Sequence, residues 1–230
     1  MKSVIIIGGG ASVQIGTKLD LWNKIQGLEI WSLNSVYKCM PYLPTAQFWV
    51  DVDFFKHDIV DLQALYNKGV KLVSKEHVRM VGLKGVIEQW PTSREIDKYY
   101  GKEAISKHMI YYGRMGLCGM FALSYAIANG YDRIFLLGYD FGSTSLNNKL
   151  THWYQEDMKD KNIYSTGAGK PEVYLQSHND GQTNPFVEDF GVYAKETDIQ
   201  IFNISLASNI NYFPKLSYTD FLEIINANVT

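Results

Sequence analysis

A glycine-rich segment near the start of the chain is the first place where the sequence can hold a ligand. GGGAS, residues 8–12, follows the apolar run SVIII and precedes a stretch that fits a helix loosely. Backbone N–H groups in such a turn, with Ser12 at a helix N-terminus, bind phosphate and other anions. We therefore predict a nucleotide site here, with a tight turn that binds no ligand as the alternative.

The glycine pattern also narrows the class of nucleotide. The segment lacks the third glycine of GxGxxG, and the second predicted strand ends in Ser32 and Asn34 instead of an acid, which disfavours NAD and FAD. No GxxxxGK[ST] motif occurs in the chain. A P-loop NTPase is therefore excluded.

The carboxyl ends of three predicted strands carry polar residues. Asn34 ends the second strand, Asp51 and Asp53 lie towards the end of the third, and Tyr139 and Asp140 end a later one. Because ligands of an open parallel sheet bind beyond the carboxyl ends of the strands, we expect these side chains at one edge. Asn34 can bind a base or a sugar, and the carboxylates can bind ribose hydroxyls or act as a base, although Asp and Asn also commonly cap helices.

A long segment between residues 141 and 181 supplies side chains suited to acid–base chemistry. It is rich in Gly, Asn, Ser and Tyr, and it is longer than an ordinary connection. His152, Tyr154 and His178 lie in it, and Gln182 follows it. We predict a lid over the site at 141–181, with loop histidines that are merely solvated as the alternative.

The elements that must position these residues alternate between strand and helix along the chain. Apolar runs predict the strands, and periodic patterns predict the helices, the first of which follows the glycine turn. The helix at 114–129 carries small residues at helical spacing, which is typical of close packing on a sheet or a ligand. The predicted strands cover residues 3–7, 28–34, 46–55, 70–74, 86–90, 132–140 and 199–205, and the later helices cover 114–129, 185–198 and 217–227. The order predicts an α/β fold with a doubly wound, Rossmann-like, mostly parallel sheet, in one nucleotide-binding domain over 1–230.

Composition and charge restrict the partners and the compartment. With 22 basic and 24 acidic residues the net charge is −2, so no global field favours nucleic acid or an anionic membrane, and only a local basic groove would attract nucleic acid. No apolar run approaches the ~20 residues that a membrane-spanning helix needs. Cys39 and Cys118 are far apart and outside any metal-binding motif, which favours reduced thiols. We expect a soluble, cytoplasmic protein.

Six segments taken together resemble a known family. The chain is similar to bacterial sialyltransferases that use CMP-sialic acid, and to small phage and bacterial proteins related to them and to archaeal 6-hydroxymethylpterin diphosphokinase-like proteins. The resemblance covers residues 1–55, 112–142 and 177–215, and it rests on GGGAS, WSLNS, FWVDVDFF, GLCGMFALSYAIANGYDRIFLLGYDF, SHNDGQTN and FNISLASNINYFP. It implies a Rossmann-like sheet with a lid, no metal, and inversion of a sugar donor by a histidine base.

The resemblance also implies roles for individual residues. The turn at 138–142 would lie beside the nucleotide, and Tyr154 and Tyr164 would correspond to the two tyrosines that steady the leaving phosphate. The family motif SHxxGH reads SHNDGQ here, so Gln182 stands at the position of the base and His178 becomes the candidate to replace it. The residues implied in donor binding are Gly9, Gly10, Ala11, Ser12 and Asn34.

These patterns lead to three functional hypotheses. The first is a nucleotide-dependent transferase, most specifically a metal-independent glycosyltransferase that uses a nucleotide-sugar donor and no further cofactor. The resemblance to phage proteins suggests that a phage encodes it. The second is a pterin-type diphosphokinase with Mg²⁺ held by Asp51, Asp53 and Asp140. The third is a nucleotide-binding protein without catalysis. The sequence leaves the acceptor open, and it is compatible with a homo-oligomer.

Overall fold

The fold was obtained as a computed structural model, which describes residues 1–75, 88–90, 117–141, 187, 190–196 and 199–227. The predicted lid lies outside these residues except for Phe141, and so do Tyr154, Tyr164, His178 and Gln182. The assignment of residues 1–230 to one domain stays a prediction.

Seven strands form one sheet in which every described pair of neighbours is parallel. The strand order is β5-β4-β3-β2-β1-β6-β7, so the chain winds outwards from β1 in one direction and then in the other. The predicted doubly wound α/β sheet is confirmed. The strands are β1 (Ser3–Ile7), β2 (Ile30–Leu33), β3 (Ala46–Trp49), β4 (Lys71–Lys75), β5 (Glu88–Trp90), β6 (Arg133–Leu137) and β7 (Gln200–Asn203).

The described helices cover both faces of the sheet. Within the described ranges, none of them is long and apolar enough to cross a bilayer. The helix after the glycine turn is divided at Asp20, whose φ of 63° is left-handed and interrupts the helical backbone. The α-helices are α1 (Val13–Lys18), α2 (Leu21–Ile25), α3 (Val52–Asn67), α4 (Cys118–Ala128), α5 (Gly191–Glu196) and α6 (Tyr218–Ala227), and a 3₁₀ helix covers Asn34–Cys39.

Alternation along β1 shows how the two faces are filled. Val4 and Ile6 belong to the apolar core under α4 and α5, whereas Ile5 and Ile7 belong to the core under α1, α2 and α6. Successive side chains of a strand point to opposite faces, so a strand covered on both sides must be apolar throughout. The uninterrupted run in residues 4–7 is therefore the sequence signature of a central parallel strand.

The structure corrects the prediction for residues 46–55. The strand ends at Trp49, and α3 begins at Val52 with Asp51 as its N-cap. Phe54 and Phe55 belong to this helix and pack in a third cluster with Trp49, so they do not continue the strand. The alternating letters VDVDF fit a strand locally, but the Asp51 carboxylate accepts the Asp53 N–H over 2.7 Å and starts the helix instead.

Candidate functional site

The sheet reverses its winding direction between β1 and β6, and the crevice outside such a reversal is the usual ligand site of a doubly wound sheet. The segments that leave these strands, residues 8–12 and 138–141, are named here the switch-point rim. The Gly8 N–H donates to Leu137 O over 2.7 Å, and the Gly10 N–H donates to Gly138 O over 2.9 Å. The two halves of the rim are therefore joined through their backbones.

Some backbone N–H groups of the predicted phosphate turn already donate hydrogen bonds within the protein. Besides the Gly10 bond, the Ser12 N–H donates to Asp140 Oδ2 over 2.8 Å in a buried position. Among the described residues, the N–H groups of Gly9 and Ala11 make no hydrogen bond. The turn therefore offers a ligand these two donors rather than the whole set.

Gly10 is required by the close approach of the two halves of the rim. A Cβ atom on Gly10 would lie 2.6 Å from both Gly138 O and Asp140 Oδ2, much closer than van der Waals contact. Because one of these atoms belongs to the backbone, the conflict cannot be removed by a change of rotamer. This glycine is required by a contact between distant segments, since its φ is not in the left-handed region.

Asn34 lies where the sequence analysis placed it, directly after β2. Its backbone is left-handed, with a φ of 49°, and it begins the 3₁₀ helix. The Gln47 side-chain amide, from β3, donates to Asn34 O over 3.0 Å and holds the turn. The oxygens Asn34 Oδ1 and Ser35 Oγ are both buried, and neither has a hydrogen-bond partner in the part of the chain that the structure describes.

The two aspartates after β3 separate. Asp51 is half-buried at the carboxyl edge, where its side chain caps α3. Asp53 lies in the first turn of α3, is 65% exposed and forms an ion pair with Lys56 at 3.2 Å. The expectation that Asp53 stands at the end of the strand is therefore wrong, because the chain has already turned into the helix.

Tyr139 and Asp140 lie on the switch-point rim but face different groups. The Tyr139 hydroxyl donates to Gly119 O over 3.1 Å, and its ring approaches α4 so closely that a Cβ on Gly119 would lie 2.8 Å from it. Burial raises the pKa of Tyr139 well above its ordinary value, with Cys118 and Tyr193 adding to the effect. Tyr139 thus packs against α4, and Asp140 contacts the glycine turn. The small residues predicted on this helix serve sheet packing at Gly119.

A loop after β7 holds three consecutive carbonyls of the rim, and the sequence analysis assigned none of its residues. The Ser208 hydroxyl donates to Tyr139 O over 2.7 Å. The Asn209 N–H donates to Asp140 O over 2.8 Å, and the Asn209 side-chain amide donates to Phe141 O over 2.9 Å. Phe141 is left-handed, with a φ of 48°, and these bonds oppose the cost of that conformation. The only sequence signal was the segment FNISLASNINYFP, quoted for the resemblance as a whole.

Replacing Asn209 with alanine is expected to lower the free energy of unfolding by about 1 kcal/mol, the net value of one such hydrogen bond. The variant loses the bond to Phe141 O and keeps the backbone bond to Asp140 O. The matched control is Asn23→Ala, which removes an equally exposed side-chain bond, to Asp20 at the N-cap of α2, that joins no distant segments. Urea unfolding measures both variants, and equal losses would show that Asn209 does not hold the rim.

Buried polar atoms without a hydrogen-bond partner concentrate at the carboxyl edge of the sheet. Leaving one such atom unsatisfied costs about 1–3 kcal/mol, so a group of them indicates a place where a ligand or ordered water completes the structure. Six follow or end a strand at this edge, and the seventh is a tyrosine hydroxyl that lies beside the glycine turn. In the described part of the chain this edge polar set comprises Ser12 Oγ, Asn34 Oδ1, Ser35 Oγ, Trp49 Nε1, Asn203 Oδ1, Ser205 Oγ and the Tyr218 hydroxyl.

The structure thus brings the predicted binding residues of the first two strands and β6 to one edge, with Asp51 beside them. The predicted catalytic residues His178, Tyr154 and Tyr164 are outside the described residues, so their distance from this edge is not defined. Over the ranges that the structure describes, no three His, Cys, Asp or Glu side chains are arranged to hold a metal ion.

Comparison with known proteins finds similarity in structure and not in sequence. No protein-family model matches the chain, and no curated protein matches it. A solved structure of the sialyltransferase CstII from Campylobacter jejuni, in complex with the substrate analogue CMP-3FNeuAc, aligns with a TM-score of 0.51 and 16% identity over 94% of this chain and 86% of the other. A structure of a CST-II variant in complex with CMP aligns with the same values. The predicted resemblance to sialyltransferases is therefore confirmed for the fold, and the diphosphokinase part of it stays a prediction.

Proposed function

We propose that this chain is a nucleotide-dependent transferase, and more specifically a glycosyltransferase that uses a nucleotide-sugar donor without a metal ion. The observation that carries the proposal is the edge polar set, which surrounds the switch point where doubly wound sheets bind nucleotides. The fold likeness supports the ligand class, since the two similar structures contain CMP and a CMP-sugar analogue.

In this proposal the nucleoside lies against the ends of β1, β2 and β3. Asn34 and Ser35 present oxygens that no described residue satisfies, and these suit the hydroxyls of a ribose and the N–H groups of a base. Asp51 adds a carboxylate at the same edge, which also accepts from hydroxyls. The donor's phosphate takes the N–H groups of Gly9 and Ala11. The Asp140 carboxylate lies beside Gly10, and the Ser12 N–H that it accepts offsets part of its negative charge.

The chemistry follows from the resemblance. Transfer breaks the bond between the anomeric carbon and the phosphate oxygen, and the nucleotide leaves with the bonding electrons. A base removes the proton from the acceptor hydroxyl that forms the new glycosidic bond. We assign the base to His178, because Gln182 cannot accept a proton, and the stabilisation of the leaving phosphate to Tyr154 and Tyr164.

A thermal-shift screen of CMP, UDP, GDP and ATP and of the matching nucleotide sugars, with and without Mg²⁺, tests the proposal. A pyrimidine nucleotide at 100 times its Kd should stabilise the protein by about 2.7 kcal/mol, which for a chain of this size is a rise in Tm of about 5–10 °C. The rise should be the same in EDTA.

A turnover assay then separates the enzyme from a binding protein. The nucleotide sugar with the largest shift is incubated with a panel of sugar and glycolipid acceptors, and free nucleotide is measured. Release that depends on the acceptor supports the transferase. Binding without release would identify a nucleotide-binding protein, and a shift that requires ATP and Mg²⁺ would support the diphosphokinase instead.

A further inference from the structure

Tyr218, on the last helix, reaches the switch-point rim from the face of the sheet that α1 and α2 cover. It is the first residue of α6, and it is only 4% exposed. Its ring packs across α1 at Gly16, where a Cβ atom would overlap the ring. The absence of a side chain at Gly16 therefore opens the route by which α6 contributes a side chain to the site.

The hydroxyl of Tyr218 arrives beside two residues of the rim. Ser12 and Asp140 are its polar neighbours, and both belong to segments that leave the central strands. The hydroxyls of Tyr218 and Ser12 lie side by side, yet within the described residues neither oxygen has a partner at good hydrogen-bond geometry. Burial raises the pKa of Tyr218 well above its ordinary value; Ser12 opposes the rise, and Asp140 adds to it.

A protein gains little stability from two buried hydroxyls in this arrangement. A phenylalanine at 218 and an alanine at 12 would fill the same space without a polar atom to satisfy. The pair becomes favourable when a ligand supplies the missing partners, because a hydroxyl both donates and accepts. The carboxylate of Asp140 nearby disfavours an anionic ligand group and favours a neutral one that donates.

We propose that Tyr218 and Ser12 form a binding subsite for a sugar hydroxyl of the bound nucleotide donor. This inference rests on the proposed function. It adds Tyr218, a residue of the last helix, to the binding residues already assigned to the glycine turn, the strand ends and the predicted lid. The sugar is the ribose of the nucleotide or the transferred sugar, since both present neutral hydroxyls.

The test compares Tyr218→Phe with the parent protein in two measurements. Removing only the hydroxyl should leave Tm unchanged or raise it, because no good hydrogen bond is lost. The Kd for the nucleotide sugar should rise about tenfold. The matched control is Tyr131→Phe, at the opposite edge of the sheet, where the hydroxyl faces Glu29 at 3.4 Å and the Kd should not change.

The ligands are CMP, UMP, GMP and AMP and their nucleotide sugars, measured by calorimetry. An equal loss of affinity for the monophosphate and the nucleotide sugar assigns the hydroxyl to the ribose, and a loss confined to the nucleotide sugar assigns it to the transferred sugar. The double variant with Ser12→Ala and Tyr218→Phe should lose little more affinity than either single variant, because both side chains act on one ligand hydroxyl.

Two results would overturn the inference in different ways. If the parent binds a nucleotide and Tyr218→Phe binds it equally well, the subsite is wrong while the proposed function stands. If the parent binds none of these ligands, the proposed function fails and the subsite fails with it.

Discussion

Replacing Gly138 with alanine is expected to lower the free energy of unfolding by about 3 kcal/mol. Gly138 has a φ of +70°, and this left-handed conformation costs an alanine about 1–2 kcal/mol. In addition, its Cβ would lie 2.6 Å from Gly8 O and 3.0 Å from Gly10 N, and an overpacked contact of this kind costs about 1–3 kcal/mol. The halves of the switch-point rim would have to separate.

A matched glycine isolates the cost of the close approach. Gly130 has the same φ of +70°, but a Cβ there would meet no atom of the described residues within 4 Å. Gly130→Ala should therefore lose only the conformational part, about 1 kcal/mol. Guanidinium unfolding of both variants measures the difference, and equal losses would mean that the two segments are not tightly packed at Gly138.

Replacing Asp58 with asparagine is expected to cost about 2–3 kcal/mol. Asp58 lies on α3 and is 1% exposed. Its carboxylate binds Lys38 Nζ at 2.7 Å and His57 Nδ1 at 2.6 Å. Removing one partner of a buried pair leaves the other charge uncompensated, which typically costs about 3–5 kcal/mol. The loss is smaller here because Lys38 keeps Asp61 at 3.1 Å.

The control for Asp58 is the exposed pair on the same helix. Asp53 and Lys56 are 65% and 69% exposed, so Asp53→Asn should change the stability by about 0.5 kcal/mol or less. Comparable effects of the two changes would show that Asp58 is no more important than a surface charge. Because Lys38 lies in the 3₁₀ helix that begins at Asn34, a confirmed loss at Asp58 would also tie α3 to the candidate site.

The arrangement of strands and helices follows closely from the local sequence. The apolar run of β1 predicts a buried strand, the glycines after it predict a turn, and the small residues of α4 predict a helix that packs closely. Every predicted strand has a counterpart in the sheet, although most are shorter than predicted. The local pattern does not predict α3, because the alternating residues 50–54 fit a strand over its first turn.

For the binding residues, the sequence predicts the position of each residue but not the groups that it contacts. A strand followed by Asn34, Asp51 or Asp140 can be recognised from the sequence, since residues that end parallel strands share one edge. What each group contacts there could not be recognised. Asp51 caps its own helix, and Asp140 accepts the Ser12 N–H across 128 positions of sequence.

The sequence by itself therefore determined the alternation of elements, the buried central strands and the edge at which polar residues collect. Only the tertiary structure decided that β6 lies next to β1, that Gly138 must approach Gly8, and that Asn209 and Tyr218 reach the rim from the last third of the chain. The physical reason is the range of the interactions. Periodicity and turn propensity act over a few residues, whereas strand order brings together groups that no local pattern relates.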